Sequence, residues 1–416
     1  MSTRAPARSA PAEAAAAPAR PRRALHVATL SLAIPRQMLP IARALVRDGW
    51  EVDIACGRGP HVAELEGTGV GYIPVEFSRK MGSARHLATL ARLVGVLRRG
   101  RYDVVHLHGP IPSLLGRLAA RATGTPVLHH ARGTFFTDGL GGRADPLLLW
   151  LYPRLERMLA PSTGWTLTLG AEDARYMVER GRHPAERVTC LGVGGCGLDL
   201  QAWNPGRFDA AARERRRQEL GVPPGARVVG FVGRMVAEKG ILELVEAFRE
   251  VRAAGRDAHL VVVGGVDPSE RDKETAREVH ERVARYGLEG AVTFAGLVDA
   301  PQSTVAAFDV LALPSYREAL GQVLLEAGAM GIPVVAASNA GTRAAVIDGG
   351  TGLLVPPRDA GALAAALLRL LDDPELAARM GATAAARAQE HSRERFMRTV
   401  LEVYDRLAPP DASARH

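Results

Sequence analysis

Twice along the chain, short apolar runs alternate with longer amphipathic ones, and no other feature limits the possible folds so strongly. From Ala24 the runs ALHVATL, EVDIAC, DVVHLH, PVLHHA, WTLTL and RVTCL are separated by segments of helical periodicity, at about 38–48, 84–99, 112–122, 145–160 and from about Ala171. A strand that is apolar along its whole length is covered on both faces, and strands alternating with helices pair in parallel. After a polar stretch at 201–226 the pattern restarts with RVVGFVG, a helix at 239–254, HLVVVGG, a charged helix at 269–286, AVTFAG, VLALPS, a helix near 321–331, PVVAAS and TGLLVPP. Residues 359–408 read as wholly helical. The fold class is therefore α/β: two Rossmann-like, doubly wound domains facing a cleft, with a C-terminal helix crossing back. The boundaries fall at 1–23 for a disordered tail, 24–200 for the first domain, 201–390 for the second and 391–416 for the returning helix and its tail.

Composition excludes several classes. Of the net charge of +8, residues 1–23 contribute five arginines against one acid, so half of the excess sits in an Ala/Pro/Arg-rich tail. That tail lacks the apolar core of a secretory signal. The remaining charge is thinly spread, without the aromatic-basic interleaving of an RNA binder, so no nucleic-acid partner is expected. Arg98, Arg99 and Arg101 form a basic patch beside an apolar helix, which allows peripheral contact with an anionic membrane. Cys56, Cys190 and Cys196 have neither metal-binding spacing nor the number for a disulfide framework, which fits a reducing cytoplasm. No apolar run reaches the ~18 residues that a membrane span requires.

The stretch LGVGGCGLD places Gly192, Gly194 and Gly197 at the spacing of a dinucleotide-binding loop. Such a loop must open a helix, whose N-terminus holds the pyrophosphate. Here LDLQAWNP follows, and the motif ends a domain rather than beginning one. A hinge using glycine's wider backbone freedom is the better reading.

Phosphate chemistry points to the second domain. In GRMVAEKG, Arg234 and Lys239 bracket a short loop after the domain's first strand, the edge where such folds bind anions. In PSYREALGQVLLEA, Glu318 and Glu326 are eight residues apart. Glu318 lies in a loop and Glu326 two turns into a helix that starts near Leu320 or Gly321. Gly321 allows a ligand to approach the backbone N–H groups at that helix start, where the dipole favours a diphosphate.

GRMVAEKG, PSYREALGQVLLEA, MGIPVVA and DGGTGLLVPP together resemble the retaining glycosyltransferases of family 4, which have the GT-B fold. The resemblance runs from about Ala24 to the end, and it includes a Gly-rich turn between the domains. It implies a metal-independent, cofactor-free transfer of a sugar from a nucleotide-diphosphate sugar, UDP favoured over GDP, to a hydroxyl of a glycan, a lipid-linked sugar or a small molecule. It implies that Arg234 and Lys239 stabilise the departing diphosphate, that Glu318 touches the sugar hydroxyls and that Glu326 accepts hydrogen bonds from the ribose. The N–H groups of Ala319, Leu320 and Gly321 would lie near sugar and phosphate, and the turn from Gly296 to Val298 beside the base. The absence of an Asp-x-Asp pair accords with a metal-free site, and His106 and His108 have no nearby Cys or carboxylate to complete a metal set.

The chain departs from its relatives in three places. LSLAIPRQM lacks the Gly-Gly loop often found after the first strand, Ala319 replaces a usual Gly, and Arg132-Gly133 stands where many relatives have His-Gly facing the donor sugar. A guanidinium at Arg132 suits a carboxylate, whether of a uronic acid sugar or of the protein's own Asp138, and it could equally meet the diphosphate. Two other functions remain open from the sequence: a nucleotide-sugar epimerase of the same fold, and a non-catalytic relative that binds sugar nucleotides.

Overall fold

A computed structural model describes residues 20–78, 83–132, 146–265 and 272–410. The first domain contains β1 (Arg23–Val27), β2 (Glu51–Cys56), β3 (Val70–Pro74), β4 (Val104–His108), β5 (Val127–Ala131), β6 (Trp165–Thr168) and β7 (Val188–Cys190). They form one parallel sheet in the order β3-β2-β1-β4-β5-β6-β7. The second contains β8 (Arg227–Val232), β9 (Ala258–Val263), β10 (Val292–Gly296), β11 (Val310–Leu313), β12 (Val334–Ala337) and β13 (Gly352–Val355), parallel in the order β10-β9-β8-β11-β12-β13. Both are doubly wound, and the order reverses beside β1 and beside β8. Ligands of such sheets bind outside the carboxyl ends of the strands at that reversal.

The strands that read as continuous apolar runs are the fully buried ones. Every residue of β4, β5, β9, β11 and β12 is buried. β3 escaped the sequence reading because VGYIP carries Gly and Pro and sits half-exposed at the sheet edge, where a Pro is tolerated.

Three further differences have physical causes. Residues 20–23, read from sequence as part of the tail, are held in place: Arg20 pairs with Asp103, Arg22 with Asp405, and Arg23 opens β1 beside Glu51 and Asp53. The polar stretch contains a helix, Ala210–Glu219, that buries no residue and so shows no apolar stripe. Asp209 caps it, while Arg216 and Arg217 clamp Thr304 and Asp309. The C-terminal segment is three helices, Ala360–Asp372, Pro374–Ala388 and Arg393–Leu407, with Asp373 and Ser392 as N-caps at the breaks.

The glycines at 192–197 occupy the junction between the sheets, with no helix after them. Gly192, Gly195 and Gly197 have φ of 67°, 59° and 84°. A Cβ on Gly197 would lie 2.6 Å from Arg393 Cα. The next residue, Leu198, pairs its backbone with His391 and Arg393 at 2.8 Å each. Hinge and returning chain are thus joined where both pass between the domains. The helix Arg393–Leu407 then packs on the first domain, against the helix Leu39–Arg47 and β5. Among the described residues, no helix is long and apolar enough to cross a membrane.

Candidate functional site

In the second domain, the carboxyl ends of β8, β9 and β10 meet through backbone groups around three glycines. Gly233 N–H donates to the Val263 carbonyl at 2.9 Å, and Gly264 N–H donates to the Gly296 carbonyl at 2.8 Å. A Cβ on Gly264, whose φ is 124°, would lie 2.0 Å from the Gly233 oxygen. At Gly264 the sheet edge is therefore a backbone floor that a side chain cannot occupy. Val298 follows this floor in the turn after β10, next to a Leu297 that is 90% exposed.

The loops after β8 and β11 interlock above it. Gly240 takes φ 67° as N-cap of the helix Ile241–Ala253, and a Cβ there would sit 2.1 Å from the Pro314 carbonyl oxygen. Tyr316 N–H donates to the Glu238 carbonyl at 2.8 Å. This contact brings the two motifs into one site. Lys239 Nζ donates to Glu318 Oε1 at 2.5 Å, and both side chains are largely buried. Arg234, more exposed, pairs with Glu238 at 2.6 Å. Arg234, Lys239 and Glu318, read from the sequence as separate contacts to a donor, thus form one cluster of alternating charge.

Gly321, φ 69°, is the N-cap of the helix Gln322–Ala329, with Ala319 exposed and the Leu320 side chain buried just before it. No side chain caps this helix, and although the Leu324 N–H turns back to the Gly321 carbonyl at 2.8 Å, the N–H groups before it face an open helix start suited to an anion. Just past the first turn, Glu326 is part-buried and makes no ion pair among the described residues. Burial raises its carboxyl to about 7, opposed by the charge of Arg36 from the first domain and by a hydrogen bond from Gln322. A part-buried carboxylate without an ion-pair partner is suited to accept bonds from ligand hydroxyls.

Sequence reasoning missed the supports of this loop. Asn339 caps the helix Ala340–Ala345 in a reciprocal box with Thr342 and donates to the Ser315 carbonyl at 2.9 Å. Gly341 lies so close that a Cβ would meet the Glu318 carbonyl oxygen at 2.3 Å. The signal was present, since SNAGT places an N-cap Asn three residues before a Thr. Gln322 was missed too; its side chain accepts from hinge Gly194 N–H at 3.1 Å.

Arg132 stands apart from this cluster, after β5 in the first domain and against the hinge, where it donates to the Gly195 carbonyl at 3.4 Å. Gly133 and Asp138 lie outside the described residues. Behind Arg132, His26, His106 and His108 bring ring nitrogens within 4.8 Å of one another, close enough for one metal ion. Both nitrogens of His26 and of His106 are, however, already hydrogen-bonded, to His108, Tyr404 and His130. A dication there would break these bonds beside the Arg132 guanidinium.

Comparisons with known proteins cover both halves. Residues 33–194 match the family described as glycosyl transferase 4-like domain, and residues 212–387 match glycosyl transferases group 1. The chain is 33% identical over 369 residues to a D-inositol 3-phosphate glycosyltransferase of Stackebrandtia nassauensis, covering 83% of this chain and 80% of that protein. A crystal structure of a glycosyltransferase from Rickettsia africae superposes with TM-score 0.77 at 19% identity, over 94% of this chain and 99% of that one. Anabaena Alr3699/HepE in complex with UDP-glucose does so with TM-score 0.72 at 20% identity, over 92% and 99%.

Proposed function

Because the chain belongs to the family 4 glycosyltransferases of the GT-B fold, we propose that it transfers a sugar from a UDP-sugar to a hydroxyl of an acceptor, with retention of configuration and without a metal ion. The observation that carries this is the interlocked pair of loops that sets Lys239, Glu318 and the open helix start at Gly321 around one point. The relative that acts on an inositol phosphate and the neighbour that binds UDP-glucose accord with it.

In this reading the diphosphate meets the N–H groups at Gly321, Arg234 and Lys239, while Glu326 accepts bonds from both ribose hydroxyls. As the bond between C1 and the phosphate oxygen breaks, negative charge grows on the diphosphate. A fixed cation and fixed N–H dipoles then stabilise the transition state more than the ground state. The acceptor hydroxyl attacks C1 from the same face. Its proton passes to the departing phosphate oxygen as the new C1–O bond forms, so atoms and charge balance without a protein base.

The test is a screen of UDP- and GDP-sugars against hydroxyl acceptors, read by mass spectrometry and by proton NMR of the new anomeric centre. A product with the donor's configuration and release of UDP are expected. An isomerised donor would establish the epimerase instead, and donor binding with no turnover the non-catalytic relative. Arg234 and Lys239 supply the charge that a cation would otherwise bring, so turnover should be unchanged in EDTA. Loss on chelation that is restored by Mg²⁺ or Mn²⁺ would refute the metal-free mechanism.

A further inference from the structure

Arg132 is a part-buried cation that the described residues leave without a carboxylate partner. Its guanidinium has five N–H donors, yet it makes two hydrogen bonds, to the Gly195 carbonyl and to His130 Nδ1, both at a long 3.4 Å. Its Nε is buried without a partner. Among the described residues, no carboxylate lies within ion-pair distance. Burial pushes the guanidinium down to about 10, the direction expected where a charge is desolvated unpaired. Proteins seldom leave a desolvated charge uncompensated.

The groups behind it form a chain whose proton positions follow from its end. Arg132 can only donate, so His130 Nδ1 must accept, and it also accepts from His106 Nε2–H at 3.3 Å. His106 Nδ1 then accepts from the Tyr404 hydroxyl at 3.0 Å. The Tyr404 oxygen in turn accepts from His26 Nε2–H at 3.1 Å, and His26 Nδ1 accepts from His108 Nε2–H at 3.0 Å. One donor thus fixes four tautomers, which are assigned here from the hydrogen bonds. Burial holds all four rings far below their usual range, so none becomes a second cation that would repel Arg132.

We propose that Arg132 is the receptor for an anionic group of a substrate, a carboxylate or a phosphate, and that Tyr404 and the histidines behind it are positioning residues that hold this cation at the hinge end of the cleft. The proposal rests on the reading of the protein as a glycosyltransferase, and it narrows the substrate class to one that carries negative charge against the first domain. A bidentate pair with the guanidinium supplies what the protein withholds.

The experiment compares wild type with Arg132→Gln by calorimetry, using inorganic phosphate with and without UDP, then UDP, UDP-glucose and UDP-glucuronic acid. At least one affinity should fall about tenfold or more, as expected for a charge-assisted pair. Loss confined to inorganic phosphate assigns the anion to the acceptor. Loss confined to UDP-glucuronic acid assigns it to the donor sugar, and equal loss with UDP itself to the diphosphate. If no affinity changes by more than about twofold, Arg132 does not bind an anion. Phosphate titration needs no nucleotide, so failure to bind UDP would sink the donor reading and leave this test intact.

Tyr404→Phe tests the chain. It should weaken the same affinity, and the ¹⁵N ring signals of His106 and His130 should change from single tautomers to mixtures. A lower melting temperature with unchanged tautomers and unchanged anion affinity would reduce Tyr404 to a packing residue.

Discussion

Lys239→Ala is expected to lower kcat by about a hundredfold to a thousandfold, the range seen when one preorganised donor to a developing oxyanion is removed, while changing the Kd of the donor far less. The asymmetry follows from when the charge appears. The bound diphosphate already carries charge that water and the helix start at Gly321 can meet, but the charge added as C1 departs is new in the transition state. Lys239 is held for that moment by the Glu318 carboxylate at 2.5 Å, between two interlocked loops. The same pair complicates the single substitution, because removing Lys239 leaves the largely enclosed Glu318 carboxyl without its partner where the proposed mechanism puts the diphosphate. Lys239→Ala combined with Glu318→Gln separates the two contributions. The double variant should regain donor affinity lost to repulsion but not turnover. Equal losses of kcat and affinity in both variants would mean that Lys239 binds donor without stabilising the leaving group.

How much of this could be read from sequence depended on how local each feature is. The strands after Ala24 and after Ala226 were legible because burial on both faces leaves continuous apolar runs. The placement of Arg234, Lys239 and Glu318 in loops and of Glu326 on a helix was legible because each spacing falls within a single loop or two helical turns. The Lys239–Glu318 contact was not, since it depends on Gly240 closing against Pro314, 74 residues away in sequence (314 − 240). The histidine chain was less legible still. His26, His106 and His130 come from three strands, and Tyr404 reaches them from a helix 378 residues beyond His26. In sequence the histidines look like polar residues scattered among apolar strands, with nothing to tie one strand's to another's. The helix Ala210–Glu219 failed for the opposite reason, since a segment that buries nothing carries no periodic signal.

The nucleotide affinity of this protein should fall as the medium is made acidic, and Glu326 should be the cause. Burial raises its carboxyl from 4.5 to about 7. Ribose hydroxyls donate, so the ionised form accepts from both, whereas the protonated form must use one oxygen as a donor. Below about pH 7 each unit of acidity should therefore weaken UDP binding progressively toward tenfold, because binding must first expel a proton. Glu326→Ala removes two bonds of about 1.5 kcal/mol or more each, so Kd should rise about a hundredfold at neutral pH. Glu326→Gln should bind weakly but without the pH slope. Stability runs the other way. A carboxyl whose folded value lies above its unfolded one favours the folded state below about 4.5, and that contribution is lost as pH rises through about 7. The empty protein consequently carries an ionised, unpaired Glu326 under mildly alkaline conditions, and Glu326→Gln should raise its melting temperature there more than in mild acid. UDP supplies the missing donors, so the thermal shift it gives should be larger for wild type in mild alkali than in mild acid, and nearly constant for Glu326→Gln. If the affinity of wild type is level across neutrality while Glu326→Ala still costs a hundredfold, the carboxyl is held ionised by a cation, Arg36 of the first domain being one whose charge acts on it.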